Sequence, residues 1–246
     1  MDRALYVGMT GAMQTMQAQT VNSQNLANAS TTGFKAQLLQ AQAVAVQGDG
    51  LDSRVNVRGA DGGWDSSIGS IQQTGRDLDI ALRDGSWLAV QSSDGTEAYT
   101  RRGDLQIDAY GQLVTGSGQA VLSDGGLMSI PPASSISIAG DGTVSVVPQG
   151  QGPEARAVVG RLKVVDATSS QLQRGVDGLM RASSGETLAA TAGNSVISGA
   201  LESSNVNLAD TMVNMISLAR EFELQTKVMK VTDENAQAAT QIMRMS

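Results

Sequence analysis

From Leu208 to Ser246 the chain contains neither Gly nor Pro. An unbroken run of that length reads as one continuous α-helix. Asn207 stands before it as an N-cap and Asp210 falls in its first turn. Arg244 lies in the last turn, where a cation suits the helix dipole. At 1.5 Å per residue this helix spans roughly 57 Å, which is long for a globular domain of 246 residues. Leu208, Met212, Met215, Ala219, Phe222, Thr226 and Met229 alternate by four and three, a heptad seam. A second stripe, Leu224, Val228, Val231, Ala238 and Ile242, overlaps it. The apolar face is wider than a two-stranded seam needs, which predicts burial against more than one neighbour.

The opposite end of the chain matches it. Residues 3–28 read as a helix in which Leu5, Met9, Ala12, Met16, Gln19, Ser23 and Leu26 follow the same alternation. Off the seam stand Gln14, Thr15, Gln17, Thr20, Asn22, Gln24 and Asn25, with almost no charge, where an exposed helix face normally carries Glu and Lys. Alone such a helix is marginal, since packing supplies most helical stability. Met9, Met13, Met16, Met212, Met215, Met229, Met243 and Met245 enrich both ends in a side chain that adapts to irregular contacts. Asn28 to Gly33 ends the first helix, with Gly33 free to take a positive φ and Phe34 an apolar anchor behind it.

Between the helices the chain changes character. All four Pro and 25 of the 28 Gly lie between residues 36 and 207. Residues 36–47 could continue as a helix or run extended, and residues 36–75 together read as an extended arm or hairpin. Residues 76–200 read as short strands, among them Trp87–Gln91, Leu105–Ile107, Thr143–Val147 and Val158–Val165. Turn signals at Ser93-Asp94-Gly95, Ala109-Tyr110-Gly111 and Gly140-Asp141-Gly142 separate them. The fold class expected is α+β: terminal helices form a coiled-coil core domain, with an antiparallel β-rich domain inserted as residues 76–200. The helical parts are residues 1–35 and 201–246.

Composition removes several functions. The chain has no Cys and no His, which excludes thiolate and imidazole nucleophile systems and Cys-based zinc sites. A net charge of -7 argues against nucleic acid. Asp49 and Asp52 lack the spacing of a calcium loop. Asp77/Asp79 and Asp94/Glu97 are carboxylate pairs better explained as turn and strand-edge groups than as an acid and a base. Gly116-Ser117-Gly118 lacks the rest of a phosphate fingerprint. We expect no enzyme activity, no cofactor and no metal. There is no apolar h-region at the start and no stretch of membrane-spanning length, so neither a cleaved signal nor membrane insertion is expected.

Four stretches, in order, resemble bacterial flagellar rod and hook proteins. Asn25-Leu-Ala-Asn-Ala-Ser-Thr-Thr-Gly-Phe-Lys35 resembles the N-terminal signature. Residues 69–82 and 94–108 resemble the opening and central hairpin of the family's β-domain. Leu201 to Ile216 resembles the C-terminal signature. The opening Met1 to Val7, the run from Phe34 and the ending Arg220 to Lys230 are most similar to a proximal rod subunit, with the distal rod protein the nearest alternative. The resemblance implies a basal-body subunit that polymerises helically with other rod proteins and with copies of itself, with the adjacent distal rod as a further candidate partner. It implies a periplasmic hollow shaft, export by the flagellar type III apparatus without a cleaved signal, and arms that order on assembly. The signature residues are Asn25, Leu26, Ala27, Asn28, Gly33, Phe34, Asn205 and Val206. The expected polymer interface is Leu5, Met9, Met16, Leu26, Phe34, Leu208, Met212, Met215, Phe222 and Met229. Two other classes, a cell-wall hydrolase using Asp or Glu and a soluble adaptor that clasps a partner with its C-terminal helix, have weaker support. The first rests on scattered carboxylates alone, and the second needs only one helix.

Overall fold

A computed structural model describes residues 2–45, 55–152 and 154–245. The expected α+β class is found. Helix α1 (Asp2–Ala27) opens the chain and helix α2 (Leu208–Met245) closes it, with antiparallel strands between. Asn207 caps α2 as its sequence predicts: its Oδ1 accepts the amide of Ala209 at 3.0 Å. The described residues form two compact units. One comprises Met1–Ala29, Ala36–Asp65 and Val206–Ser246, the other Ser30–Lys35 and Ser66–Asn205.

In the first unit α1 and α2 lie antiparallel. Gly8 sits against Met229, Gly11 against Gln225, and the Asn22 amide donates to the Thr211 carbonyl at 2.8 Å. Residues 37–45 resolve the helix-or-strand ambiguity as strand β1 (Gln37–Ala45), paired with β2 (Val55–Trp64). Asn56 and Val57 lie in β2, whereas the Gly48-Asp49-Gly50 stretch, Asp52 and Arg54 lie outside the described residues. Gly59 of β2 packs so closely on Gln14 and Gln17 of α1 that a Cβ would meet both side-chain amides. Among described residues of the two helices only Ala12, Thr15 and Thr211 are buried. This unit therefore has almost no core of its own.

The second unit holds the core. Its largest sheet has nine strands. Seven run in the order Leu172–Arg174, Met180–Ala182, Glu97–Thr100, Ser86–Gln91, Ala120–Ser123, Leu113–Thr115, Leu105–Ile107. A three-stranded sheet (Ala133–Ile138, Thr143–Pro148, Ala157–Arg161) and two strand pairs complete it. Ile80, Leu88, Leu105, Leu113, Val121 and Val144 are fully buried. The three Gly turns expected from sequence are present, with φ of 81° at Gly95, 78° at Gly111 and 84° at Gly142. The run 158–165 divides into two strands around Leu162, and the strands Val196–Ser198 and Ala200–Glu202 are separated by Gly199, whose φ is 72°.

A side-chain cluster staples the Gly175 turn to the neighbouring hairpin. The Arg181 guanidinium donates to Asp177 at 2.8 Å, joined by the Ser92 hydroxyl at 2.9 Å and the Leu179 amide at 3.2 Å. Arg181 above all holds the Asp177 carboxyl down at about 2. A carboxylate depressed on folding adds stability that is complete above its ordinary pKa and disappears as pH falls through the folded value. Asp177→Asn should therefore flatten the loss of thermal stability between about pH 4 and pH 2. Melting curves across that window measure it.

Candidate functional site: the helix pair and the signature junction

The inner face of α1 carries Leu5, Gly8, Ala12, Thr15, Asn22 and Leu26, each half-buried or buried. That of α2 carries Thr211, Met215, Leu218, Phe222, Gln225, Met229 and Thr232. Both sets keep the four-three spacing. Their phase differs from the sequence expectation at alternate positions. Gly8 and Thr15 replace Met9 and Met16, while Thr211, Leu218 and Gln225 replace Met212, Ala219 and Thr226. The reason is close approach. Gly8, Gly11, Ala12 and Thr15 let the helices meet over small residues, and the Gln225 amide donates to the Thr15 hydroxyl at 3.1 Å. Leu5, Leu26, Met215, Phe222 and Met229 remain on the contact.

The displaced methionines point outward. Tyr6, Met9, Met13 and Met16 form an exposed stripe with three-four-three spacing, one residue out of phase with the inner face, and Met13 is 63% exposed. On α2, Leu208, Met212, Ile216 and Leu224 are exposed in the first half and Val228, Val231 and Ile242 in the second. In the single chain these stripes are exposed, on a helix pair with little core.

The signature residues have distinct tasks. In the first unit, the Asn25 side chain donates to the Gln37 carbonyl and accepts its amide, both at 2.9 Å, which fixes the start of β1. The Asn28 amide side chain donates to the Gln24 carbonyl at 2.9 Å, closing α1. Ala27 is exposed and Val206 half-buried. In the second unit Gly33 has φ 66°, and a Cβ there would lie 2.4 Å from the Arg101 backbone. Its amide donates to the Glu202 carbonyl at 2.8 Å. Phe34 lies under the Arg174 guanidinium, 4.7 Å from ring centroid to Cζ, and its carbonyl accepts the Asn205 amide at 3.3 Å.

Beneath this sits a group to which sequence reasoning assigned no role. Glu202 is buried, and its two oxygens are divided between Lys35 Nζ at 2.8 Å and Arg101 Nη2 at 2.6 Å. Lys35 and Arg101 are each 2% exposed. Lys35 also donates to the Ser67 carbonyl, and the Gly69 amide donates to Glu202 at 3.1 Å. The signal was available. Lys35 is the sole charge between Arg3 and Asp49, and Glu202 the sole charge between Glu186 and Asp210. Two isolated charges of opposite sign, one before and one after the long insert, are complementary.

The carboxylate pairs have structural partners. Asp79 accepts the Thr74 hydroxyl at 2.7 Å, Asp94 the Thr96 amide at 2.9 Å, and Glu97 the Lys163 ammonium at 2.7 Å. Among the described residues no cluster of three metal-ligating side chains occurs, and no helix is long and apolar enough to cross a membrane.

Residues 5–35 match the family described as flagella basal body rod protein, 81–146 the flagellar hook protein FlgE/F/G D1 domain, and 197–242 the C-terminal part of the flagellar basal body rod FlgEFG proteins. The chain belongs to this family of flagellar basal-body rod proteins, whose members are structural subunits and not enzymes. It is 45% identical to the rod protein FlgF of Escherichia coli and 44% identical to that of Salmonella typhimurium, over the whole of each chain. Identity to the rod protein FlgG of Bacillus subtilis is 33%, over 98% of this chain and 99% of that one. Full-length similarity of that degree puts it with the FlgF members, and a subunit of the flagellar rod is what it is.

Proposed function

We propose that this subunit builds the proximal rod by helical polymerisation with copies of itself and with other axial proteins, the distal rod among its neighbours. Contacts of this kind are heterologous and open, so they propagate into a tube. The helix pair is the coiled-coil core domain around the channel, and the β-rich unit is the outer domain. The shaft is periplasmic, and the subunit reaches it through the flagellar type III apparatus without a cleaved signal. One observation carries this proposal: the single chain leaves apolar heptad-spaced stripes uncovered on both terminal helices. Met9, Met16, Leu208 and Met212 serve contacts between subunits. Leu5, Leu26, Met215, Phe222 and Met229 hold the pair that presents them, and Phe34 secures its root.

A pair of variants tests the proposal. Met16→Asp places a charge on the exposed stripe. The isolated subunit should keep its circular dichroism spectrum and melting temperature, yet incorporation into rods in a complemented deletion strain should fall at least tenfold, about what 1.4 kcal/mol of lost contact gives. Met215→Asp, on the α1–α2 contact, should leave the β-rich unit folded and block incorporation as well. Normal rods built from Met16→Asp would remove the stripe from the polymer interface.

A further inference from the structure

We infer that Gly33, Phe34 and Lys35, fastened to Glu202, Arg174 and Asn205, form a buckle that holds the roots of the two terminal helices side by side before those helices pair. The helices run antiparallel and meet near their roots through Asn22 and Thr211. The chain leaves α1 at Ala27 and enters the β-rich unit at Ser30; it leaves that unit at Asn205 and enters α2 at Leu208. Inside the unit these two points are tied three ways, Gly33 to Glu202, Asn205 to Phe34, and Lys35 to Glu202, and Arg174 over Phe34 fastens the first point to the unit. Arg174 adds a hydrogen bond to the Lys35 carbonyl at 2.7 Å.

The ties belong to the unit that has a core, whereas the helices belong to the unit that has almost none. The buckle therefore stays closed when α1 and α2 are apart. With it closed, 10 residues of chain separate the two helices through the Phe34–Asn205 tie, residues 28–34 and 205–207. The residues are positioning residues: they touch no partner subunit and act through the helices they align. This inference rests on the α1–α2 pairing and not on the rod proposal.

The chain has no Cys, so labels at Ser30→Cys and Ser204→Cys report the root separation in the full-length monomer by pulsed electron paramagnetic resonance. The parent should give one narrow, short distance. Lys35→Met combined with Arg174→Ala removes the side-chain fastenings and leaves the two backbone hydrogen bonds and the Glu202–Arg101 pair. This double variant should broaden the distance. Amide exchange in Ser86–Gln91 should remain slow. An unchanged distance in the double variant would overturn the inference, as would a broad distance in the parent. Loss of protection in Ser86–Gln91 would also overturn it, because the ties would then be part of the core and not a separable buckle. Failure of rod assembly with an intact narrow distance would count against the rod proposal alone.

Discussion

Glu202→Gln should lower the stability of the β-rich unit by about 3–5 kcal/mol, the usual cost of removing one partner from a buried ion pair. The glutamine has nearly the shape of the carboxylate, so no cavity is made. What changes is the charge. Lys35 and Arg101, both 2% exposed, would face each other with no anion between them. Arg101 cannot swing out, because its guanidinium also donates to the carbonyls of Leu82 and Ser86, each at 2.9 Å. It also lies over the ring of buried Trp87 at 5.8 Å. Trp87 fluorescence should follow the unfolding, with the midpoint lowered by roughly 10 °C for a unit of this size. A shift under about 2 °C would mean the carboxylate charge contributes little to holding the two cations.

Gly103→Ala should be at least as damaging, for a steric reason. An ideal Cβ at Gly103 would lie 1.7 Å from the carbonyl oxygen of Ile80. The obstacle is backbone, and it is fixed: the Ile80 amide donates to the Gly103 carbonyl at 2.9 Å, and Ile80 is fully buried. A methyl group there must separate two backbones that are hydrogen-bonded and packed. We expect a loss above about 3 kcal/mol, placing the variant among the severe core lesions. Gly152→Ala is the control, since no atom lies within 4 Å of its ideal Cβ. Denaturant melts of the two should differ widely. Equal midpoints would show that the two backbone segments separate at little cost.

The helices were legible because their signals are local. A breaker-free run, an Asn cap and a repeated apolar spacing depend on residues within one or two turns of one another. The Gly turns were legible for the same reason. The phase of the α1–α2 contact was not. A stripe of Met and Leu marks a face able to bury, but not which neighbour buries it. In this chain the intramolecular contact takes the adjacent face, where Gly8, Gly11, Ala12 and Thr15 permit closer approach, and leaves the methionines outside.

The signature at Asn25 to Lys35 shows the same division within eleven residues. Its sequence alone determined a helix stop, a positive φ at Gly33 and an aromatic anchor. Tertiary structure decided that the Asn25 amide fixes the start of β1, that Arg174 covers Phe34, and that Lys35 meets Glu202 across 167 residues of chain. Backbone preference is a property of a residue and its near neighbours. An ion pair is a property of distance in space, and here the fold of the whole insert brings its two charges together.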